Sequence, residues 1–144
     1  MRRLLLSFTF FALSASVFAA DQPTPGDAHL KELSVVDLQV GTGAEAASGM
    51  RVKMNYAGWL YDPAAPDKHG KPIDSSPPDH PLSFRLGDRG IIKGWNQGVV
   101  GMRVGGKREL LIPAELGYGN RGAGDGVIPP RASLVFDIEL LDAK

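Results

Sequence analysis

The chain has no cysteine. That excludes disulfides, thiolate metal sites and thiol nucleophiles, and it excludes a lipid-modified cysteine after the apolar start. Stability must then come from apolar burial, for which a domain of this length suffices. Charge of one sign is lacking too: 16 Lys and Arg face 16 Asp and Glu, scattered along the 144 residues. No basic stripe for nucleic acid or patch for an anionic membrane is present, so neither partner is expected. There is no Gly-x-Ser-x-Gly elbow to suggest a hydrolase, no internal repeat and no heptad pattern.

Long apolar runs are confined to one place. Met1-Arg2-Arg3 is a positive start, Leu4 to Phe18 is apolar apart from Ser and Thr, and Val17-Phe18-Ala19 supplies small residues at the exit. This order is that of a cleavable secretory signal peptide, and the run is short for a membrane-spanning helix. Cleavage after Ala19 is expected, making the protein exported, periplasmic in the first instance, with the cell surface or medium as alternatives. Removing residues 1–19 from the 144 leaves 125; it takes Arg2 and Arg3 and no acidic residue, for a net charge of −2. Residues 20–32, polar with Pro23, Pro25 and Gly26, read as a flexible lead-in. Residues 33–144 form one domain. The lead-in is too short and polar for a helical dimerisation arm, so a monomer is expected.

The domain reads as strands. Leu33 to Val40 is apolar and β-branched and stops at Gly41-Thr42-Gly43. In Met50 to Leu60, Val52, Met54 and Tyr56 share a face opposite Arg51, Lys53 and Asn55. Leu82, Phe84 and Leu86 alternate with polar residues; Arg108 to Ile112 follows; and in Ala132 to Leu141, Leu134, Phe136, Ile138 and Leu140 oppose Asp137 and Glu139. Such alternation suits an antiparallel sheet with one covered face. Lys93 to Met102 alone reads as helical, with Trp95, Val99 and Met102 in register. Its glycines make it a poor helix without packing. The fold class is therefore α+β. Residues 62–71, 75–81 and 113–130 read as loops.

Two motifs fall away. Gly101-x-x-x-x-Gly106-Lys107 approaches a phosphate-binding loop, yet Arg108 stands where Ser or Thr is needed and a strand, not a helix, follows. His29, His69 and His80, even with Asp67 and Asp79, lack metal-site spacing and read as surface residues; no metal or other cofactor is expected.

Five blocks carry more: Val52-Lys53-Met54-Asn55-Tyr56-Ala57-Gly58; Ile73-Asp74-Ser75-Ser76; Ile91-Ile92-Lys93-Gly94-Trp95-Asn96-Gln97-Gly98-Val99; Leu116-Gly117-Tyr118-Gly119; and Val127-Ile128-Pro129-Pro130-Arg131-Ala132-Ser133-Leu134-Val135-Phe136-Asp137. In this order, across residues 33–142, the chain resembles the FKBP family of peptidyl-prolyl cis-trans isomerases. The resemblance implies a curved antiparallel sheet of five to six strands wrapped around one short helix. It implies catalysis of X-Pro rotation, by desolvation and twisting of the amide in an apolar pocket, in the service of folding exported proteins. The partners it implies are proline-containing polypeptides and macrolide inhibitors of the FKBP type.

Carried over by position, the catalytic set is Tyr56, Asp74, Ile92, Trp95, Tyr118 and Phe136, and the substrate-binding set is Ile73, Leu82, Ile91, Val127 and Ile128. Trp95 resembles the floor under the proline ring. Tyr118 resembles the hydroxyl bonded to a substrate carbonyl, Ile92 the donor of a backbone N–H, and Asp74 the polar rim. Three features depart from the family: Ile73 and Leu82 stand where aromatic residues are usual, the loop at 62–71 is longer than in the smallest members, and the loop from Gly119 to Gly126 lacks an aromatic or His wall. A module that binds proline segments as a chaperone with little turnover is the alternative reading.

Overall fold

A computed structural model of the protein describes residues 29–144. The expected signal peptide and the expected lead-in up to residue 28 lie outside the described residues. Among the described residues, six strands form one antiparallel sheet: β1 (Ser34–Gln39), β2 (Arg51–Tyr61), β3 (His69–Ser75), β4 (Leu82–Arg85), β5 (Lys107–Ile112) and β6 (Leu134–Ala143). The order is β1-β5-β6-β2-β3, with β4 also paired to β2. One short helix, α1 (Lys93–Gly98), precedes β5. No helix among the described residues is long and apolar enough to cross a membrane.

The alternation in the sequence becomes two faces. Val52, Met54, Leu110, Ile112, Leu134, Phe136, Ile138 and Leu140 are all buried on one face, and Trp95, Val99 and Met102 from the helical segment close over them. The glycines that weaken α1 as an isolated helix let it approach the sheet. A Cβ on Gly94 would stand 2.6 Å from Ile112 Cγ2, and one on Gly98 2.7 Å from Leu110 Cδ1. The helix ends at Gly98, four residues before Met102; from Val99 the chain turns back toward β5 through Gly101 and Gly105, both at positive φ.

Arg108 fastens that turn. Its guanidinium donates to the Gly98 and Val100 carbonyls at 2.9 and 3.1 Å and to Asp37 on β1 at 2.6 Å, with the residue only 8 % exposed. The last carbonyls of a helix lack intrahelical donors, and here a buried cation supplies them.

The sequence reading of 62–71 as loop needs correction. The loop runs only to Lys68, closed by the Asp62 N–H to the Lys68 carbonyl at 2.9 Å, and His69 begins β3. Gly70 and Pro72 hide the strand in the sequence. Proline is tolerated because β3 is an edge strand, where no ladder donor is missed.

Candidate active site

Sheet register assembles the site. Gly58 on β2 lies opposite Asp74 on β3 and opposite Phe136 on β6. A Cβ on Gly58 would collide with the Phe136 ring, so glycine here is what lets that ring lie against the strand. Two residues earlier, Tyr56 extends over the same face. Its backbone is pinned by Ser76, whose Oγ accepts the Tyr56 N–H at 3.0 Å and whose own N–H donates to the Tyr56 carbonyl at 3.0 Å.

Trp95 enters from α1. Asn96 braces this end of the helix: its Oδ1 accepts the Gly87 N–H at 2.8 Å and its Nδ2 donates to the Asp88 carbonyl at 2.9 Å. The Trp95 ring meets Tyr56 edge-on at 4.9 Å and Phe136 at 5.1 Å and 81°, with Phe84 stacked at 5.9 Å. These are favoured aromatic geometries, and they fix an apolar floor and walls.

The loop at 113–130 supplies the other side. A 3-10 turn at Ala114–Leu116 presents Tyr118. A small two-stranded bridge, Ala123 with Ile128, holds Val127 and Ile128 in place through backbone bonds of 2.9 and 3.0 Å. The resulting cavity of about 300 Å³ is lined by Tyr56, Ile73, Asp74, Trp95, Tyr118, Ala123, Gly124, Val127, Ile128 and Phe136. A larger concavity of about 820 Å³ lies between residues 29–32 and the 113–120 segment; no Phe, Tyr or Trp among the described residues lines it, and the site is assigned to the smaller one.

Eight of the eleven residues expected from the sequence therefore meet in one cavity. Leu82, Ile91 and Ile92 do not line it; they are half-buried against the same core. The Ile92 N–H has no hydrogen-bond partner among the described residues, while its carbonyl accepts from Trp95 and Asn96 at the start of α1. Ala123 and Gly124 were missed because small residues in a glycine-rich loop carry no chemical signature.

Tyr56, Asp74 and Tyr118 set their polar groups at the rim, while the Trp95 Nε1–H is buried without a hydrogen-bond partner among the described residues. Tyr56 Oη donates to Asp74 Oδ2 at 2.7 Å. Burial first, then this bond and the Asp74 charge, push the Tyr56 hydroxyl up to about 12. Tyr118, 40 % exposed, is also raised, by burial first and then by Asp74. Both phenols thus stay protonated and able to donate throughout the neutral range. No Ser, Thr, Cys, Lys or His among the described residues lines the cavity. The arrangement is that of a protein that holds a compact apolar group on an aromatic floor and offers hydrogen bonds to the amides flanking it.

Comparison with known proteins identifies that class. The family model described as FKBP-type peptidyl-prolyl cis-trans isomerase matches residues 43–141. A protein named FK506-binding protein from Neisseria meningitidis serogroup A is 49% identical over 110 residues, which cover 76% of this chain and 94% of that protein. Two crystal structures are similar. FkpA from Escherichia coli has a TM-score of 0.65 at 42% identity, over 78% of this chain and 48% of that one. A peptidyl-prolyl cis-trans isomerase from Pseudomonas syringae has a TM-score of 0.65 at 36% identity, over 88% of this chain and 86% of that one. The chain belongs to the FKBP-type peptidyl-prolyl cis-trans isomerase family.

Proposed function

We propose that this isomerase acts on exported polypeptides, outside the cytoplasm and as a monomer, rotating X-Pro bonds that limit their folding. The observation that carries the mechanism is the closure of Tyr56, Phe136 and Phe84 around Trp95, with the Tyr56, Asp74 and Tyr118 polar groups at the rim.

The uncatalysed barrier is about 18–20 kcal/mol, set by amide resonance. The planar amide is the more charge-separated state, so water stabilises it more than the twisted one. Seating the proline ring on Trp95 removes that water and narrows the gap. A rate gain of ~10⁴–10⁵ requires about 5–7 kcal/mol. Desolvation supplies part, and hydrogen bonds that strengthen as the bond twists supply the rest. The Tyr118 hydroxyl at the rim is the donor assigned to one substrate carbonyl; the Ile92 N–H, outside the lining but without a partner among the described residues where α1 begins, is assigned to the other. Asp74 orients the rim by accepting from Tyr56 and needs no role as a base. The same apolar floor suits a macrolide of the FK506 type, the ligand named for the Neisseria relative.

The test pairs proline-limited refolding with an aggregation assay, using the chain that begins at Ala20. Accelerated refolding, reduced by Tyr118→Phe in a variant that still folds, supports the reading. Suppressed aggregation without acceleration favours the chaperone alternative. N-terminal sequencing of extracytoplasmic material addresses export: an intact Met1 would sink that part.

A further inference from the structure

On the face of the sheet opposite the pocket, His69 departs from its sequence reading as a surface residue. Its side chain is only 16 % exposed, against 77 % for His80. The imidazole stacks on Trp59 at 3.8 Å and 7°, which fixes the plane of the ring. Asp67 orients it from behind, one carboxylate oxygen accepting the His69 backbone N–H at 3.1 Å and the other facing Nδ1 at 3.4 Å.

That arrangement leaves Nε2 facing inward. Register places Glu109 on β5 directly beside Asp137 on β6, and Nε2 lies 3.7 Å from Glu109 Oε2 and 3.8 Å from Asp137 Oδ2. These separations are too long for hydrogen bonds, so the three groups surround a gap without closing it. His69 Nε2 and Asp137 Oδ1 are buried and have no hydrogen-bond partner among the described residues. Buried polar atoms are rarely left so. One ligand atom from each of His69, Glu109 and Asp137 lies within 4.8 Å of the others.

We propose that His69, Glu109 and Asp137 form a binding site for a divalent first-row transition cation of the zinc type. One imidazole nitrogen and two carboxylate oxygens, with water in the fourth position, make a donor set that zinc accepts at about 2.0–2.2 Å. The donor atoms, 3.7 and 3.8 Å from Nε2 and all within 4.8 Å of one another, would have to close to about 3.3–3.6 Å, the edge of a tetrahedron with bonds of about 2.0–2.2 Å. Asp67 behind Nδ1 is the carboxylate partner that metal-bound histidines recruit to set the tautomer. A nitrogen donor argues against calcium or magnesium, which take oxygen ligands. The cation ties edge strand β3, which carries Ile73 and Asp74, to the β5–β6 pair across β2.

The experiment is calorimetric titration of Zn²⁺ into the chain beginning at Ala20, with melting measured with and without the metal. One Zn²⁺ per chain is expected, with a raised melting temperature. His80→Gln keeps both effects and His69→Gln loses both, while Asp67→Asn weakens binding by about 10–100-fold. Should His69→Gln fail to melt cooperatively without metal, Glu109→Gln serves in its place. Absence of stoichiometric binding, or binding unchanged in the ligand variant, overturns the proposal. Neither readout depends on isomerase activity.

Discussion

At the scale of single residues, Ile73 decides how the pocket meets its substrate. It lines the cavity beside Asp74 and packs against the core, at a position where an aromatic side chain is usual in the family. If this wall touches the residue before proline, Ile offers less area than Phe. A few tens of Å² at about 25 cal/mol per Å² amounts to ~1 kcal/mol, or roughly fivefold in rate when felt only in the transition state. Ile73→Phe is therefore expected to raise kcat/KM on peptides with a bulky residue before Pro and to change it little where that residue is Gly. Measuring both peptides with both proteins decides the matter. An equal effect on the two, or none, means that Ile73 does not touch that side chain.

At the scale of elements, the joint between α1, β1 and β5 rests on Arg108. Its guanidinium bonds two carbonyls at the helix end and the Asp37 carboxylate. Removing one partner of a buried pair typically costs about 3–5 kcal/mol; Asp37 is half exposed, which puts Arg108→Met nearer the lower end. Lysine keeps the charge without the planar fork, so Arg108→Lys is expected to recover only part of the loss. Urea midpoints for the three proteins test this, and full recovery by Lys would show that charge alone matters. The same elements show what was legible beforehand. β2 and β6 were plain from alternation, because one face of each is buried. The pocket was legible wherever a residue's type reflects its task, as at Trp95 and Tyr118. β3 was not legible, since its strand character comes from pairing with β2 and overrides Gly70 and Pro72. The helix end at Gly98 and the burial of His69 were also hidden: both depend on partners distant in sequence, Arg108 in one case and Trp59 in the other.

For the molecule as a whole, floor and core are the same residue. Trp95 is 7 % exposed, faces the cavity, and packs on Phe84, Tyr56 and Phe136, so lost activity in a Trp95 variant is ambiguous by itself. Linkage separates the two roles. A ligand that binds only the folded state, at a hundredfold excess over its Kd, adds about 2.7 kcal/mol of stability. At about 4–8 °C per kcal/mol for a small domain, a macrolide of the FK506 type should raise the melting temperature by on the order of 10 °C. Trp95→Leu keeps the site apolar while removing the flat ring. Its melting temperature without ligand is expected to fall, reporting the core role. Its rise at the same ligand concentration is expected to fall by about half or more, since a tenfold weaker Kd alone removes about 1.4 kcal/mol of the linkage. Melting curves for both proteins, with and without ligand, give four temperatures and two differences. An equal ligand-induced rise in the two would show that Trp95 supports the core but does not hold the ligand, and the floor assigned here would have to move to Phe136 or Tyr56.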